Sequence, residues 1–276
     1  MSDFDLVKQL REETGVSVME CKKALDKAEN DYELAKQYLT EQGMAKADKK
    51  SDRLTKTGYI NSFLSGNKGA LVELRCETDF VSKHEDFQQL AKDIAEQVVV
   101  SGISNKEELL NEKFIKDEKF TVLEAIKNAI AKFGENMEIG EIVSYEVDNG
   151  FVCSYIHTGG RVASLVSFET EDSEGLNDLG VDIAMQVTAM KPKYLSKDDI
   201  PSETIEDMKT EYAEGIDTSK PEDIQNKILE GRLNKKYEEI CLLNQKYIKD
   251  DSKTISQLLK ESGKDVVIKQ YIRLEA

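Results

Sequence analysis

The chain has 276 residues, 39% of them hydrophobic and 33% charged, which suits two or three folded modules and excludes collagen-like, mucin-like and wholly disordered classes. Its 54 acidic side chains against 38 basic ones leave a formal charge of -16, a field that repels DNA, RNA and anionic lipid. Neither direct nucleic-acid binding nor membrane binding is expected.

Apolar runs such as 98–100 and 266–268 fall far short of the roughly 18 residues that a membrane helix needs. The opening Met1-Ser-Asp-Phe-Asp carries acid where a signal peptide carries basic residues, which points to the cytoplasm. Cys21, Cys76, Cys153 and Cys241 are spread one per region among apolar neighbours, without a Cys-x-x-Cys pair, and read as buried free thiols. His84 and His157 are the only histidines, and no ligand spacing surrounds them, so no metal and no cofactor is expected.

In chain order, apolar residues at helical spacing predict three helices over 4–13, 17–28 and 31–42. Ser17 with Glu20 and Asn30 with Glu33 are candidate capping boxes, and Gly43 reads as the break after the third helix. Residues 1–43 thus form a three-helix domain, and the locally basic 44–57 a linker.

Beyond it an internal repeat is visible. Gly58-Tyr-Ile-Asn-Ser-Phe-Leu and Gly150-Phe-Val-Cys-Ser-Tyr-Ile each open a unit with a glycine-containing hairpin turn. The later helices also match, Leu90-Ala-Lys-Asp-Ile-Ala-Glu-Gln-Val against Leu179-Gly-Val-Asp-Ile-Ala-Met-Gln-Val. The expected class is α+β: a duplicated core of two subdomains, each an antiparallel sheet with a helix, following the three-helix domain. Subdomain N is assigned to 58–145 and subdomain C to 146–190 plus 232–276. Residues 191–231 hold all three prolines, Pro192, Pro201 and Pro221, and read as an inserted helical hairpin.

One position breaks the repeat. The strand alternating Ala70, Val72, Leu74 and Cys76 with Leu71, Glu73, Arg75 and Glu77 runs into Thr78-Asp-Phe-Val81, where the second unit has Thr170-Glu-Asp-Ser173. Two readings stay open: a hydrophobic staple that packs Phe80 or Val81 on the next helix, capped by Ser82 with Glu85, or a projecting wedge that puts Phe80 into a partner's apolar crevice while the Asp79 carboxylate disturbs groups holding a cation or a phosphate.

Residues 10–25, Leu-Arg-Glu-Glu-Thr-Gly-Val-Ser-Val-Met-Glu-Cys-Lys-Lys-Ala-Leu, and 73–83, Glu-Leu-Arg-Cys-Glu-Thr-Asp-Phe-Val-Ser-Lys, closely resemble the two signature segments of the bacterial elongation factor Ts family. Ile156-His-Thr-Gly-Gly-Arg161, Lys191-Pro-Lys-Tyr-Leu195 and Glu230-Gly-Arg-Leu233 extend the resemblance over the whole chain; Arg75 stands where the family usually has Asn or Val. The resemblance implies an N-terminal domain of ubiquitin-associated type and a guanine nucleotide exchange factor whose partner is GDP-bound elongation factor Tu. It implies that Thr78, Asp79, Phe80 and Val81 intrude beside the partner's magnesium and phosphate site, and that Arg11, Val18, Met19, Lys22, Phe133, Gly134 and His157 make further contacts. The helical hairpin offers a surface for a homodimer or a 2:2 complex. A phosphate-binding Gly-x-x-x-x-Gly-Lys-Ser/Thr loop is absent from the sequence, so no enzyme is expected. The alternative is a non-catalytic adaptor that binds a partner through residues 1–43.

Overall fold

The computed structural model describes residues 3–276; Met1 and Ser2, at the acidic N-terminus discussed above, lie outside the described residues. In chain order the elements are helices α1 (Asp3–Thr14), α2 (Val18–Lys27) and α3 (Tyr32–Asp48), then strands β1 (Thr57–Ser65) and β2 (Lys68–Cys76) and helices α4 (Asp79–Ser82), α5 (Glu85–Ser101) and α6 (Lys106–Asn111). Next come β3 (Lys113–Phe114), β4 (Asp117–Thr121), α7 (Val122–Phe133), β5 (Met137–Glu146), β6 (Gly150–Ile156), β7 (Val162–Glu169) and α8 (Asn177–Met190). Helices α9 (Ser202–Ala213) and α10 (Glu222–Ile240) lead to β8 (Lys246–Tyr247), β9 (Asp250–Thr254), α11 (Ile255–Glu261) and β10 (Val267–Glu275). The class is mixed α and β: N-terminal helices, then small antiparallel sheets with helices.

The first three helices close on Leu10, Cys21, Ala24, Leu25, Ala35 and Leu39. Ser17 caps α2, its hydroxyl accepting from the Glu20 amide at 3.3 Å. The cap of α3 is Asp31, accepting from Leu34 N at 2.9 Å, rather than Asn30, which takes the left-handed turn at φ 64° that its short side chain tolerates. Nor does Gly43 end α3. The helix continues to Asp48, and Gly43 is its crossing point with α7: a Cβ there would stand 2.8 Å from the Ala131 methyl. Ala47 joins the next core, Asp48 pairs with Lys127 at 2.7 Å, and Lys50 Nζ donates to the Gly134 carbonyl at 2.5 Å. Much of the basic segment is thereby spent inside the molecule, with Arg53 on Glu77 and Lys46 on Glu20.

Two three-stranded antiparallel sheets follow, ordered β1-β2-β5 and β10-β7-β6. The alternation in β2 takes the expected form: Ala70, Val72, Leu74 and Cys76 meet Phe87, Leu90, Ile94 and Val98 of α5, while Leu71 faces the other way. There Ile60 and Leu71 pack against Val152, Ala163 and Leu165 of the second sheet, whose far face carries Val166 and Phe168 against Ile183 and Val187 of α8. The layers therefore run helix, sheet, sheet, helix, so the central strands β2 and β7 are buried on both faces. All four cysteines are buried free thiols, as their apolar settings implied.

Between β2 and β5 the register slips opposite Glu73. The Glu73 side chain, only 5% exposed, fills the bulge; its oxygens accept from Arg75 Nε and Nη2 at 2.8 Å each and from Glu141 N at 3.1 Å. Arg75, the departure from the family pattern, thus neutralises a buried carboxylate. Gly140 completes the arrangement, because a Cβ there would lie 2.1 Å from Glu73 Oε2. Gly140→Ala is expected to lower unfolding stability by about 2–3 kcal/mol, read as a lower urea midpoint at unchanged slope.

A second repeat, too short to show periodicity in the sequence, accompanies the two sheets. Lys113-Phe-Ile-Lys-Asp117 and Lys246-Tyr-Ile-Lys-Asp250 each form a two-stranded ribbon, ending in a threonine, Thr121 or Thr254, that closes a capping box on the next helix. A buried glutamine holds each ribbon. Gln97 donates to Lys113 O at 3.0 Å and accepts from Ile115 N at 2.6 Å; Gln186 does the same with Lys246 O at 3.0 Å and Ile248 N at 2.9 Å. Helices α9 and α10 pair through Ile205, Met208, Tyr212, Leu229 and Leu233, and α10 runs beyond residue 231 to Ile240, whose carbonyl accepts from Lys193 N and Tyr194 N.

Candidate functional site

Strand β2 ends at Cys76, and the chain turns through Glu77 and Thr78 into the single-turn helix α4. Four residues cannot hold a helix alone, since nucleation fixes several residues for one hydrogen bond. The turn is moored from outside. Glu135 accepts from the Thr78 amide at 3.0 Å and from its hydroxyl at 2.6 Å, and Glu77 accepts from Asn136 N at 2.6 Å. The Thr78 hydroxyl is thus committed to Glu135 and makes no cap bond to α4. Asn136 also donates to the carbonyls of Ser51 and Arg53, tying three segments beneath the tip.

Successive residues of α4 then part company. Val81 is 7% exposed and lies in the main core, whereas Phe80 is 83% exposed. Val81 packs as the staple reading expects, and Phe80 holds its ring in water. The cap of α5 is His84, whose Nδ1 accepts from Asp86 N at 3.2 Å; Ser82 is instead buried, its hydroxyl donating to the Asp79 carbonyl at 3.2 Å.

Asp79 pairs with Lys83 one turn on, at 2.7 Å, and this contact holds its carboxyl below the usual range, so it is ionised at neutral pH. Behind the tip, burial pushes the Cys76 thiol up to about 11, and it donates to the Thr78 carbonyl at 3.1 Å. That cysteine is therefore packing, not a nucleophile.

The other residues singled out from the sequence occupy neighbouring ground. Phe133, half-buried at the end of α7, sets its ring edge-on to His84 at 4.9 Å, and Gly134 ends that helix at φ 78°, one residue before the mooring Glu135. Above them, Gly15, between α1 and α2, lies against the Lys132 side chain, which in turn pairs with Asp86. Arg11, Val18, Met19 and Lys22 are all exposed around that turn and the start of α2; Met19, at 67%, is no part of the helix core. His157 is exposed in the β6–β7 turn, 3.3 Å from the Tyr155 hydroxyl. That turn reaches the first sheet, where the Gly160 carbonyl accepts from Ile60 N at 2.7 Å.

Sequence reasoning passed over Glu135 and Lys83. Glu135 sits beyond Phe133 and Gly134 with nothing local to mark it, because its role depends on a contact to Thr78 across the fold. Lys83 carried a visible signal in its spacing of four from Asp79.

An aromatic ring held in water on a moored corner, beside an ionised carboxylate, is the anatomy of a protein that acts on another macromolecule rather than on a small molecule. Comparisons with known proteins name the kind. Residues 77–276 match the family model described as elongation factor TS. The chain is 41% identical over 284 residues to elongation factor Ts of Clostridium botulinum strain ATCC 19397 / Type A, covering 100% of this chain and 92% of that one. It is 40% identical over 277 residues to that of strain Alaska E43 / Type E3, covering 98% and 91%. The chain belongs to the elongation factor Ts family. It is accordingly a nucleotide exchange factor for elongation factor Tu in translation elongation, and not an enzyme.

Proposed function

We propose that exchange proceeds by entry of Thr78, Asp79, Phe80 and Val81 beside the magnesium and phosphate site of GDP-bound elongation factor Tu. The observation that carries this reading is the division between Val81 and Phe80: one anchors in the core so that the other projects. Phe80 displaces partner elements, and Asp79 competes with the ligands of the cation. Magnesium demands near-ideal octahedral geometry, so a small shift of its ligands weakens it and leaves the phosphates unneutralised. Exposed ion pairs contribute little, so Asp79 gives up Lys83 readily for a new partner. Linkage completes the cycle: a factor that weakens GDP binding is itself displaced by GDP to the same degree.

Around the tip, Phe133, Gly134 and His157 form the proposed flank, and Arg11, Val18, Met19 and Lys22 dock the N-terminal helices, of ubiquitin-associated type, on the partner's nucleotide domain. The matched glutamine-held ribbons support a duplicated core, divided as subdomain N and subdomain C, with α9 and α10 as its inserted hairpin. That hairpin is the proposed surface for a homodimer or a 2:2 assembly, and the cytoplasm the proposed place of work.

Asp79→Ala tests the cation step. Stimulated GDP release is expected to fall about tenfold at millimolar magnesium, and the deficit to vanish when EDTA has already removed the ion, because the displacement is then unnecessary. An equal deficit in both conditions, or none in either, would contradict this role for Asp79.

A further inference from the structure

In a chain with 54 acidic and 38 basic side chains, an arginine whose guanidinium bonds to nothing among the described residues stands out. Arg53, Arg75 and Arg273 pair with Glu77, Glu73 and Glu275, and Arg232 donates to the carbonyls of Tyr212 and Glu214. Arg161 is exposed, and its guanidinium has no hydrogen bond or ion pair among the described residues. Arg11 shares that state, but it belongs to the N-terminal group already assigned.

The backbone beneath Arg161 is fixed. Gly160 N donates to His157 O at 2.9 Å, the Gly160 carbonyl accepts from Ile60 N at 2.7 Å, and the Arg161 carbonyl accepts from Ala276 N at 2.8 Å. Gly160 has φ 69°, and a Cβ there would stand 2.1 Å from the Tyr59 ring, so only glycine lets the turn lie this close to β1. Tyr59 and Ile60 are paired with Leu74 and Glu73 of β2, the strand that runs directly into the tip. Two residues before Tyr59, Thr57 pairs with Cys76, so the turn that carries Arg161 lies at the end of the sheet from which the tip springs.

We propose that Arg161 is a further working residue of this site, an anchor for an oxyanion presented by GDP-bound elongation factor Tu. The proposal rests on the reading of Phe80 and Asp79 given above. A guanidinium is a planar fork that matches a carboxylate or a phosphate with two parallel hydrogen bonds, and it is more weakly hydrated than an ammonium. Set at the same end of the sheet as the tip, it adds to the Asp79–Lys83 pair a cation that has no ion pair among the described residues. Asp79 competes for the cation while Arg161 receives the oxyanion that the cation neutralised, so neither ion is left bare in the exchange intermediate. The oxyanion comes from one of two sources, a carboxylate of the partner or a phosphate of its nucleotide.

The test compares Arg161→Ala, Arg161→Lys and Phe80→Ala in stopped-flow release of fluorescent GDP from purified elongation factor Tu. Because the Arg161 head makes no bond among the described residues, Arg161→Ala should melt with the parent protein. It is expected to slow stimulated release about tenfold or more, with partial recovery in Arg161→Lys, which keeps the charge but not the fork. Calorimetry with nucleotide-free elongation factor Tu separates the sources: weaker binding assigns the anchor to a partner carboxylate, and unchanged binding with slowed release assigns it to the phosphate. Release by Arg161→Ala within about twofold of the parent overturns the proposal. A slowed Phe80→Ala in that same experiment leaves the reading of the tip standing, and an unaffected one removes both.

Discussion

Phe80→Ala is expected to reduce stimulated GDP release about 30-fold, with no change in melting temperature. An aromatic hot spot at the centre of an interface contributes about 2 kcal/mol or more, and each 1.36 kcal/mol is a factor of ten in rate. The ring is 83% exposed in the free protein, so removing it takes nothing from the core, and Val81 continues to hold α4 in place. Phe80→Leu should fall between, keeping apolar bulk without the planar ring. Stopped-flow release and a thermal melt on the same preparations decide the matter. A melting temperature that dropped with the rate would mean that the ring supports the fold instead of serving the partner.

The second large effect belongs to a residue that need not touch the partner. Glu135→Ala is expected to slow stimulated release about tenfold, because a wedge that samples many orientations loses the benefit of being positioned before contact. The carboxylate takes both donors of Thr78, and hydrogen bonds to a charged group contribute about 1.5–3 kcal/mol each. Hydrogen exchange should rise at the amides of 78–82 and stay unchanged in α5, while far-UV circular dichroism is preserved. Glu135→Gln, which still accepts through its carbonyl oxygen, should recover part of the rate. A slowed variant with unaltered protection at 78–82 would show that Glu135 acts by contact and not by mooring.

How far the sequence reveals such a site depends on the range of the interactions that build it. Helix faces and strand alternation are local, so the alternation along β2 and the first three helices are legible from periodicity and turn chemistry. Gly43 misled because glycine serves two purposes, ending helices and letting them cross closely, and only Ala131, far along the chain, distinguishes them. The ribbons at Lys113–Phe114 and Lys246–Tyr247 escaped notice because strands of two residues have no periodicity to read, although their flanking sequence repeats almost verbatim. At the tip, the sequence leaves open which of Phe80 and Val81 packs inward. Burial separates the two side chains, and burial depends on one face of α4 meeting a core assembled from distant segments. Glu135 belongs to the same class of residue, invisible until the fold brings it to Thr78.

The chain contains no tryptophan, so an analogue excited at longer wavelength than tryptophan, such as 5-hydroxytryptophan, placed at position 80 reports on that one site without overlap from the partner. In a variant that retains exchange, its emission is expected to be that of a water-exposed indole in the free protein, to shift to the blue on binding nucleotide-free elongation factor Tu, and to return when GDP is added. An indole that stays in water throughout a complex still competent for exchange would contradict the central claim.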